Sequence, residues 1–384
     1  MSSFRTPLHA LNAAGQSIWL DFIDRALLQG DILAQRIDGD AMTGMTSNPT
    51  IFEKALASGT LYDAQLKDAP AGKTAWELFE LVETDDVRVA CDAFAGVYAA
   101  SKQLDGYVSI EVSPGSAHDA AATVAEAHRL WKTVDRPNVM IKVPGTPEGC
   151  VALEQLIADG LNVNVTLLFA VAAHDRVIEA FLKGLERRHA AGKPLEHIAS
   201  VASFFVSRVD SAIDGALNAL AKSGTISAAR AESLQGRAAI ANAKLAYKLF
   251  QDRFSGPRWE KLAAAGAQLQ RPLWASTSTK NPSYRDTLYV EQLIGPDTVN
   301  TMPPNTLEAY RDHGITARTV DTGLDEATAL IAELATLGIS LDSVTDTLLA
   351  EGLSSFQKSF DTLIAGIEQK RASLGHAVAS TATH

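Results

Sequence analysis

The stretch VMIKVPGT, Val139 to Thr146, decides the fold. Lys142 apart, its first five residues are apolar and mostly β-branched, as in a strand buried on both faces of a parallel sheet. Pro144 and Gly145 then stop the run. A lysine is almost never fully buried without a partner or a task. Lys142 therefore either snorkels from a strand end into solvent or is a chemical group held where strands converge. Pattern alone leaves both readings open.

Seven other runs share this character: IWLD (Ile18 to Asp21), MTGMTSN (Met42 to Asn48), YVSIEV (Tyr107 to Val112), VNVTLLF (Val163 to Phe169), IASVASFF (Ile198 to Phe205), PLWASTS (Pro272 to Ser278) and DTVNTM (Asp297 to Met302). Helical stretches separate them, such as TVAEAHRLWKTV, RVIEAFLKGLERRHAAG and AARAESLQGRAAIANAKLAYKLFQDRF. Strands alternating with helices in this way predict an α/β fold, a (β/α)8 TIM barrel with extra helices, rather than an open sheet. Two connections are much longer than one helix, at about 52–105 and 207–267, and from about Asp325 the pattern is helical throughout, including FQKSFDTLIAGIEQKRASL. The expectation is a single barrel domain over residues 1–384, with two helical insertions and a helical C-terminal tail from about 325 that packs against the barrel or covers its mouth. The last residues, AVASTATH, read as a frayed end.

Composition narrows the function classes. With 46% hydrophobic and 21% charged residues in 384, the chain has enough apolar content for a large core. Net charge is -11 and pI about 5.3, with the charges interspersed, which argues against a nucleic-acid partner. The two cysteines, Cys91 and Cys150, are too few for a disulfide framework; they fit a reducing compartment and read as small core residues. Asp21, Asp24 and Arg25 interrupt the apolar residues near Ile18 and Trp19, so no signal-peptide core or membrane span forms there. A cytoplasmic protein without membrane contact is expected. The sequence has no Walker phosphate loop, no dinucleotide-binding glycine motif and no nucleophile elbow. Its nine histidines, among them His118, His128, His174 and His313, lack metal-ligand spacing, so no metal is expected.

A barrel collects its chemistry at the C-terminal ends of its strands. Those ends carry Asp21, Asn48, Glu111, Lys142, Thr166, Ser203 and Ser278. Most have an ordinary reading singly. Asp21 opens DFIDRALL, where helix-start acids are common; Asn48 before Pro49 is a turn signal; Thr166 and Ser203 are unexceptional strand residues. Glu111, between Ile110 and Val112, is harder to dismiss, because a buried carboxylate must pair or change its pKa. Brought to one level of a closed barrel, the set would surround one pocket with acids, a lysine and hydroxyls.

The motifs WLDFIDR, TSNPTIFEKAL, IEVSP, MIKVPGT, NVTLLF, SFFVSRVD and ASTSTKNPSY, in this order from about Ile18 to about Tyr284, resemble those of the transaldolase family. The resemblance implies a class I Schiff-base aldolase on a (β/α)8 barrel. Such an enzyme moves a dihydroxyacetone unit from sedoheptulose 7-phosphate or fructose 6-phosphate to glyceraldehyde 3-phosphate or erythrose 4-phosphate, in the non-oxidative pentose phosphate pathway. Sugar phosphates would be its partners, no cofactor would be needed, and the chain would be a monomer or homodimer. The resemblance further implies that Lys142 forms the Schiff base, Glu111 and Thr166 hold the catalytic water, and Asp21 is the acid/base. Asn48 and Ser203 would line the substrate pocket, and Arg208, Ser278 and Lys280 would bind phosphate. Phe205 stands where related aldolases that only cleave fructose 6-phosphate carry tyrosine, which favours transfer over the alternative, a lyase using the same Schiff base.

Three positions depart from the pattern. Lys280 stands where other branches have arginine, offering phosphate a point charge instead of a bidentate fork. Phe204 replaces a proline. The first motif is WLDFIDR rather than an ADTGD-like sequence, which sets Asp21 against Asp24; Asp21 is preferred because it ends the apolar run. The chemistry accounts for the lysine's neighbours. Only a neutral amine attacks a ketone, and at an ordinary lysine pKa near 10.4 fewer than about one in a thousand is neutral at pH 7. Burial disfavours the ammonium form. Two further classes stay open on the residues: a pyridoxal-phosphate barrel with Lys142 as internal aldimine, and a non-catalytic helical scaffold.

Overall fold

The structure, a computed structural model, describes residues 6–57, 59–70 and 72–374; the AVASTATH stretch lies outside the described residues. Eight strands form: β1 (Gln16–Asp21), β2 (Gly44–Thr46), β3 (Tyr107–Glu111), β4 (Val139–Pro144), β5 (Val163–Leu168), β6 (Ser200–Phe205), β7 (Gln270–Ala275) and β8 (Thr298–Met302). Each pairs in parallel with its sequence neighbours, and β8 returns to β1, closing the barrel. Every residue of β4 is buried, which requires the near-continuous apolar run seen in the sequence.

Several strand ends are trimmed by backbone geometry. β2 keeps only three residues of the seven expected, because Ala41 takes φ 51 before it and Pro49 begins a helix after it. β7 stops at Ala275, and Ser276 turns the chain with φ 56, so Ser278 and Lys280 lie on the loop beyond the strand. β5 is irregular. Its register with β6 shifts between Val165 and Leu168, and Leu167 sits at φ 60.

The end of β4 explains the VPGT residues. The Gly145 amide donates to the carbonyl of Thr166 at 2.8 Å, and a Cβ at Gly145 would stand 2.3 Å from Leu168 Cδ2. Only glycine lets β4 and β5 approach this closely at the mouth. Thr146 then caps the helix Pro147–Asp159 by accepting from the Gly149 amide at 2.9 Å, with Pro147 at the first helical position.

Helices fill the long connections. Pro49–Ala57, Asp63–Asp68 and Ala75–Ala100 lie between β2 and β3. The helical stretch after Ala228 forms two helices, Ala228–Leu234 and Ala238–Arg253, broken at Gly236 with φ 68. The tail is likewise divided into Leu324–Thr336 and Leu341–Ser373, with Gly338 at φ 81 between them. The short helix Pro7–Ala13 had no clear signal in the sequence.

The terminal helix Leu341–Ser373 lies across the mouth. Its buried residues Leu348, Gly352, Phe356, Leu363 and Ile367 fall on one helical face. That face packs on the helices Pro49–Ala57, Ala75–Ala100 and Ser207–Lys222, and reaches β5. Thr50 donates to Ser359 at 2.9 Å, and Phe360 stands edge-on to Trp76 and Phe79 with ring centroids 5.0 and 6.0 Å away. At the opposite end of the barrel, Asp105 accepts from the Trp19 indole at 2.7 Å and from Ser17, tying β1 to the loop before β3. Among the described residues, no single helix is long and apolar enough to cross a membrane.

His174, on the helix after β5, is fully buried with its ring 5.9 Å from that of Phe204. Burial pulls it from 6.5 down to about 4. The folded protein therefore keeps His174 neutral while the unfolded chain takes up a proton below pH 6.5. Stability present above pH 6.5 should be lost progressively as pH falls toward 4, by about 3 kcal/mol from this residue. Urea unfolding of the protein and of His174→Phe across this range measures the difference; parallel pH dependences would refute it.

Candidate active site

The carboxyl ends of the strands surround a cavity of about 190 Å³. Asp21, Asn48, Lys142, Thr166, Ser203, Phe205, Arg208, Ser278 and Lys280 all line it, so these sequence candidates share one site. Glu111 stands behind Lys142 rather than on the cavity wall. β3 and β4 pair Glu111 with Lys142 in register, and Lys142 Nζ donates to Glu111 Oε2 at 3.3 Å and to the Ser47 carbonyl at 3.1 Å. Asp24 has a different place: it caps the short helix Arg25–Leu28, accepting from the Leu27 amide at 2.7 Å.

Two hydrogen-bonded groups hold the polar floor. In one, Thr46 Oγ1 donates to Asp21 Oδ1 at 2.7 Å and lies 2.7 Å from the hydroxyl of Thr301, joining β2 to β1 and β8. In the other, Ser203 donates to Asn164 Oδ1 at 2.7 Å, and Asn164 Nδ2 donates to the Ser109 hydroxyl at 3.0 Å, joining β6, β5 and β3. Asn48 is held from outside the barrel: its Oδ1 accepts from the Ile51 amide at 3.0 Å at the start of the helix Pro49–Ala57. The turn reading and the pocket reading of Asn48 therefore coexist. Thr166 differs from these, because its hydroxyl is buried without a hydrogen-bond partner. Such an atom is costly unless a water or ligand satisfies it.

Burial raises the carboxyls of both Asp21 and Glu111 above their ordinary range. The positive charge of Lys142 opposes this for each, joined by the Thr46 hydrogen bond for Asp21 and by the hydrogen bond from Lys142 for Glu111. Glu83, buried on the helix Ala75–Ala100, is pushed well above its ordinary range by burial and then by the charge of Glu111. It had no signal in the sequence, being one acid among several on a helix.

At the rim, Arg208 lies over the Phe205 ring at 5.4 Å, and among the described residues no hydrogen bond or ion pair to another side chain holds its guanidinium. Lys280 donates to the Ser278 hydroxyl at 2.7 Å. Burial lowers both cations, with Glu351 opposing the shift at Arg208; at Lys280 the charge of Arg208 adds to it and Asp21 opposes it. Two cations thus face one cavity, and among the described residues neither forms an ion pair with a carboxylate. Sequence reading missed Asn164, Thr46, Thr301 and Phe356. Asn164 was recoverable, since it precedes Thr166 by two residues on β5 and so shares its face. Phe356 was not, since it reaches the cavity from the terminal helix.

Enzymes of the (β/α)8 class carry their chemistry at this end of the barrel, and here that end encloses the amine of Lys142. Comparison with known proteins is specific. Residues 18–367 match the Transaldolase/Fructose-6-phosphate aldolase family. A transaldolase of Parafrankia sp. (strain EAN1pec) is 49% identical over 366 residues, covering 95% of this chain and 98% of that protein. Transaldolase 2 of Nostoc sp. (strain PCC 7120) is 48% identical over 93% of this chain and 95% of its own length, and the transaldolase of Mycolicibacterium smegmatis is 48% identical with the same coverage of each. The chain belongs to the transaldolase/fructose-6-phosphate aldolase family.

The unpaired rim cations predict an anion effect without any turnover. Inorganic phosphate at ten times its dissociation constant should stabilise the fold by about 1.4 kcal/mol. Arg208→Ala should abolish this in a thermal-shift titration at constant ionic strength, and an undiminished shift in that variant would exclude Arg208 from the subsite.

Proposed function

We propose that the transaldolase activity of this chain proceeds through a Schiff base on Lys142, with a dihydroxyacetone unit passing from a ketose phosphate to an aldose phosphate. One observation carries the reading: an amine buried beside Glu111 at the floor of a cavity whose rim holds Arg208 and Lys280. Sedoheptulose 7-phosphate and fructose 6-phosphate are the proposed donors, and glyceraldehyde 3-phosphate and erythrose 4-phosphate the acceptors, as in the non-oxidative pentose phosphate pathway.

The neutral Lys142 amine attacks the ketone carbon C2, giving a carbinolamine. Loss of its hydroxyl as water requires a group that donates a proton and later accepts one. Glu111 fills this role through a water held also by the unpartnered hydroxyl of Thr166. Asp21 removes the proton from the C4 hydroxyl of the ketose. The C3–C4 bond breaks, its electron pair enters the protonated imine, and the first aldose phosphate leaves. The resulting enamine, held by Asn48 and Ser203, attacks the aldehyde of the second aldose phosphate. Asp21 returns the proton to the new hydroxyl, and water hydrolyses the imine to release the product ketose.

Arg208, Lys280 and Ser278 hold the distal phosphate, so that binding there orients the reacting carbons. The wall beside the enamine is aromatic: the Phe205 ring lies 5.2 Å from that of Phe169 and offers no hydroxyl to position a water. This favours transfer over cleavage.

Borohydride reduction in the presence of fructose 6-phosphate should fix a three-carbon adduct on the peptide containing Lys142, read by mass spectrometry. An adduct on a different lysine, or turnover in a folded Lys142→Met variant, would overturn the assignment. The pH profile tests Asp21 separately. Its raised carboxyl must be ionised to act as base, so activity is lost as pH falls through that raised value. Thr46→Val removes a hydrogen bond that favours the ionised form and should move the acid limb of kcat/KM upward by about one pH unit. An unmoved limb would remove Asp21 from the role of base.

A further inference from the structure

The cavity has one wall that the barrel does not make. Phe356 lines it from the terminal helix, across from residues on the strand ends, and is only 7% exposed. The helix approaches closely there. One turn before Phe356, a Cβ at Gly352 would stand 3.0 Å from Leu167 Cδ2 and 3.7 Å from Arg208 Nη1. The Thr50–Ser359 hydrogen bond and the seating of Phe360 against Trp76 and Phe79 anchor the same turns. Near the helix end, Lys370 pairs with Asp63 at 2.8 Å. Phe356 is thus a fixed part of the enclosure rather than a surface ring that happens to point inward.

We propose that Phe356 is a specificity-determining residue: it roofs the lysine-bound three-carbon unit and sets the partition of that unit between an aldehyde acceptor and water. The proposal rests on the Schiff-base reading of Lys142 and goes beyond it. An enamine on Lys142 has two fates. In transfer, its nucleophilic carbon forms a bond to the acceptor's aldehyde carbon. In loss, the same carbon takes a proton, water adds to the imine carbon, and the carbon–nitrogen bond breaks to leave free dihydroxyacetone and the amine. Loss needs only water, so a small enclosed cavity suppresses it until an acceptor fills the space. The strand-end residues on the floor are polar and cannot exclude water. An aromatic roof can.

The experiment uses the full chain with fructose 6-phosphate and saturating erythrose 4-phosphate, measuring free dihydroxyacetone against transferred product. Phe356→Ala should raise that ratio by about tenfold, the scale on which a lost pocket contact alters discrimination. Phe356→Leu, which keeps much of the buried volume, should give a smaller rise and carries the same test should alanine cost the fold. Phe360→Ala loosens the helix anchorage without facing the cavity and should raise the ratio less than Phe356→Ala does. An unchanged ratio in both Phe356 variants overturns the proposal, as does an equal rise in Phe360→Ala. Borohydride trapping separates the two levels. A Lys142 adduct with an unchanged ratio sinks the roof alone, whereas no adduct in the unsubstituted protein sinks the lysine reading and the roof with it.

Discussion

A lysine ammonium and a glutamate carboxyl 3.3 Å apart, each side chain 6% exposed, are the constraint around which the mouth of this barrel is built. Removing either ion from water costs several kcal/mol, and their mutual attraction recovers that only with good geometry and further hydrogen bonds. Here the further partner of Lys142 is a single backbone carbonyl, that of Ser47. The pair is therefore not a device for stability. Burial penalises the charged form of Glu111 and raises its carboxyl above the ordinary range, which makes a shared proton accessible there. The proposed Schiff-base chemistry, which needs a proton donor beside the amine, is served by such poise.

The rest of the mouth carries similar costs. Leu167, a bulky residue at φ 60, occupies a backbone region that disfavours it by roughly 1–2 kcal/mol. The β5–β6 register shift lies at the same point, and so does the unsatisfied Thr166 hydroxyl. Strain, a broken ladder and a bare polar atom on adjacent residues would be poor economy in a purely structural strand. They are coherent if the bulge exists to aim Thr166 toward Lys142. The displaced Leu167 side chain then becomes the surface on which Gly352 lets the terminal helix rest. One local irregularity in β5 thus shapes both the floor and the roof.

How much of this the sequence discloses depends on the range of the causes. The eight strands are legible because burial on both faces demands apolar runs, and the run around Lys142 is conspicuous because a lysine violates it. The convergence of Asp21, Lys142 and Thr166 follows once the barrel is drawn, since alternation and strand ends are local properties. Strand limits are less legible. Positive φ at Ala41 and Ser276 is adopted by residues that announce no turn, so β2 starts later and β7 ends earlier than their sequence patterns suggest. The divided helix after Ala228 turns on Gly236, a breaker visible in the sequence but outvoted by the helical residues on either side. Glu83 and Phe356 were invisible for a different reason. Each lies on a helix whose own pattern is ordinary, and only tertiary packing brings Glu83 near Glu111 and turns Phe356 into the cavity.

The charge distribution shows why the local arrangement outweighs the global one. A chain of net charge -11 should repel a sugar phosphate. At physiological salt, however, exposed charges are screened beyond about 8 Å, so most surface carboxylates are muted at the cavity. Arg208 and Lys280 face each other across a partly buried space where screening is weak, and their mutual repulsion is offset only in part by Glu351 and Asp21. An acidic exterior favours solubility, while the two cations give the mouth a local positive charge. Lysine at 280 fits this arrangement. Two guanidinium forks would fix the phosphate by direction, whereas an ammonium tethered to Ser278 supplies charge with less demand on orientation. That latitude would suit the proposed phosphate subsite, because the proposed donor and acceptor sugars differ in length.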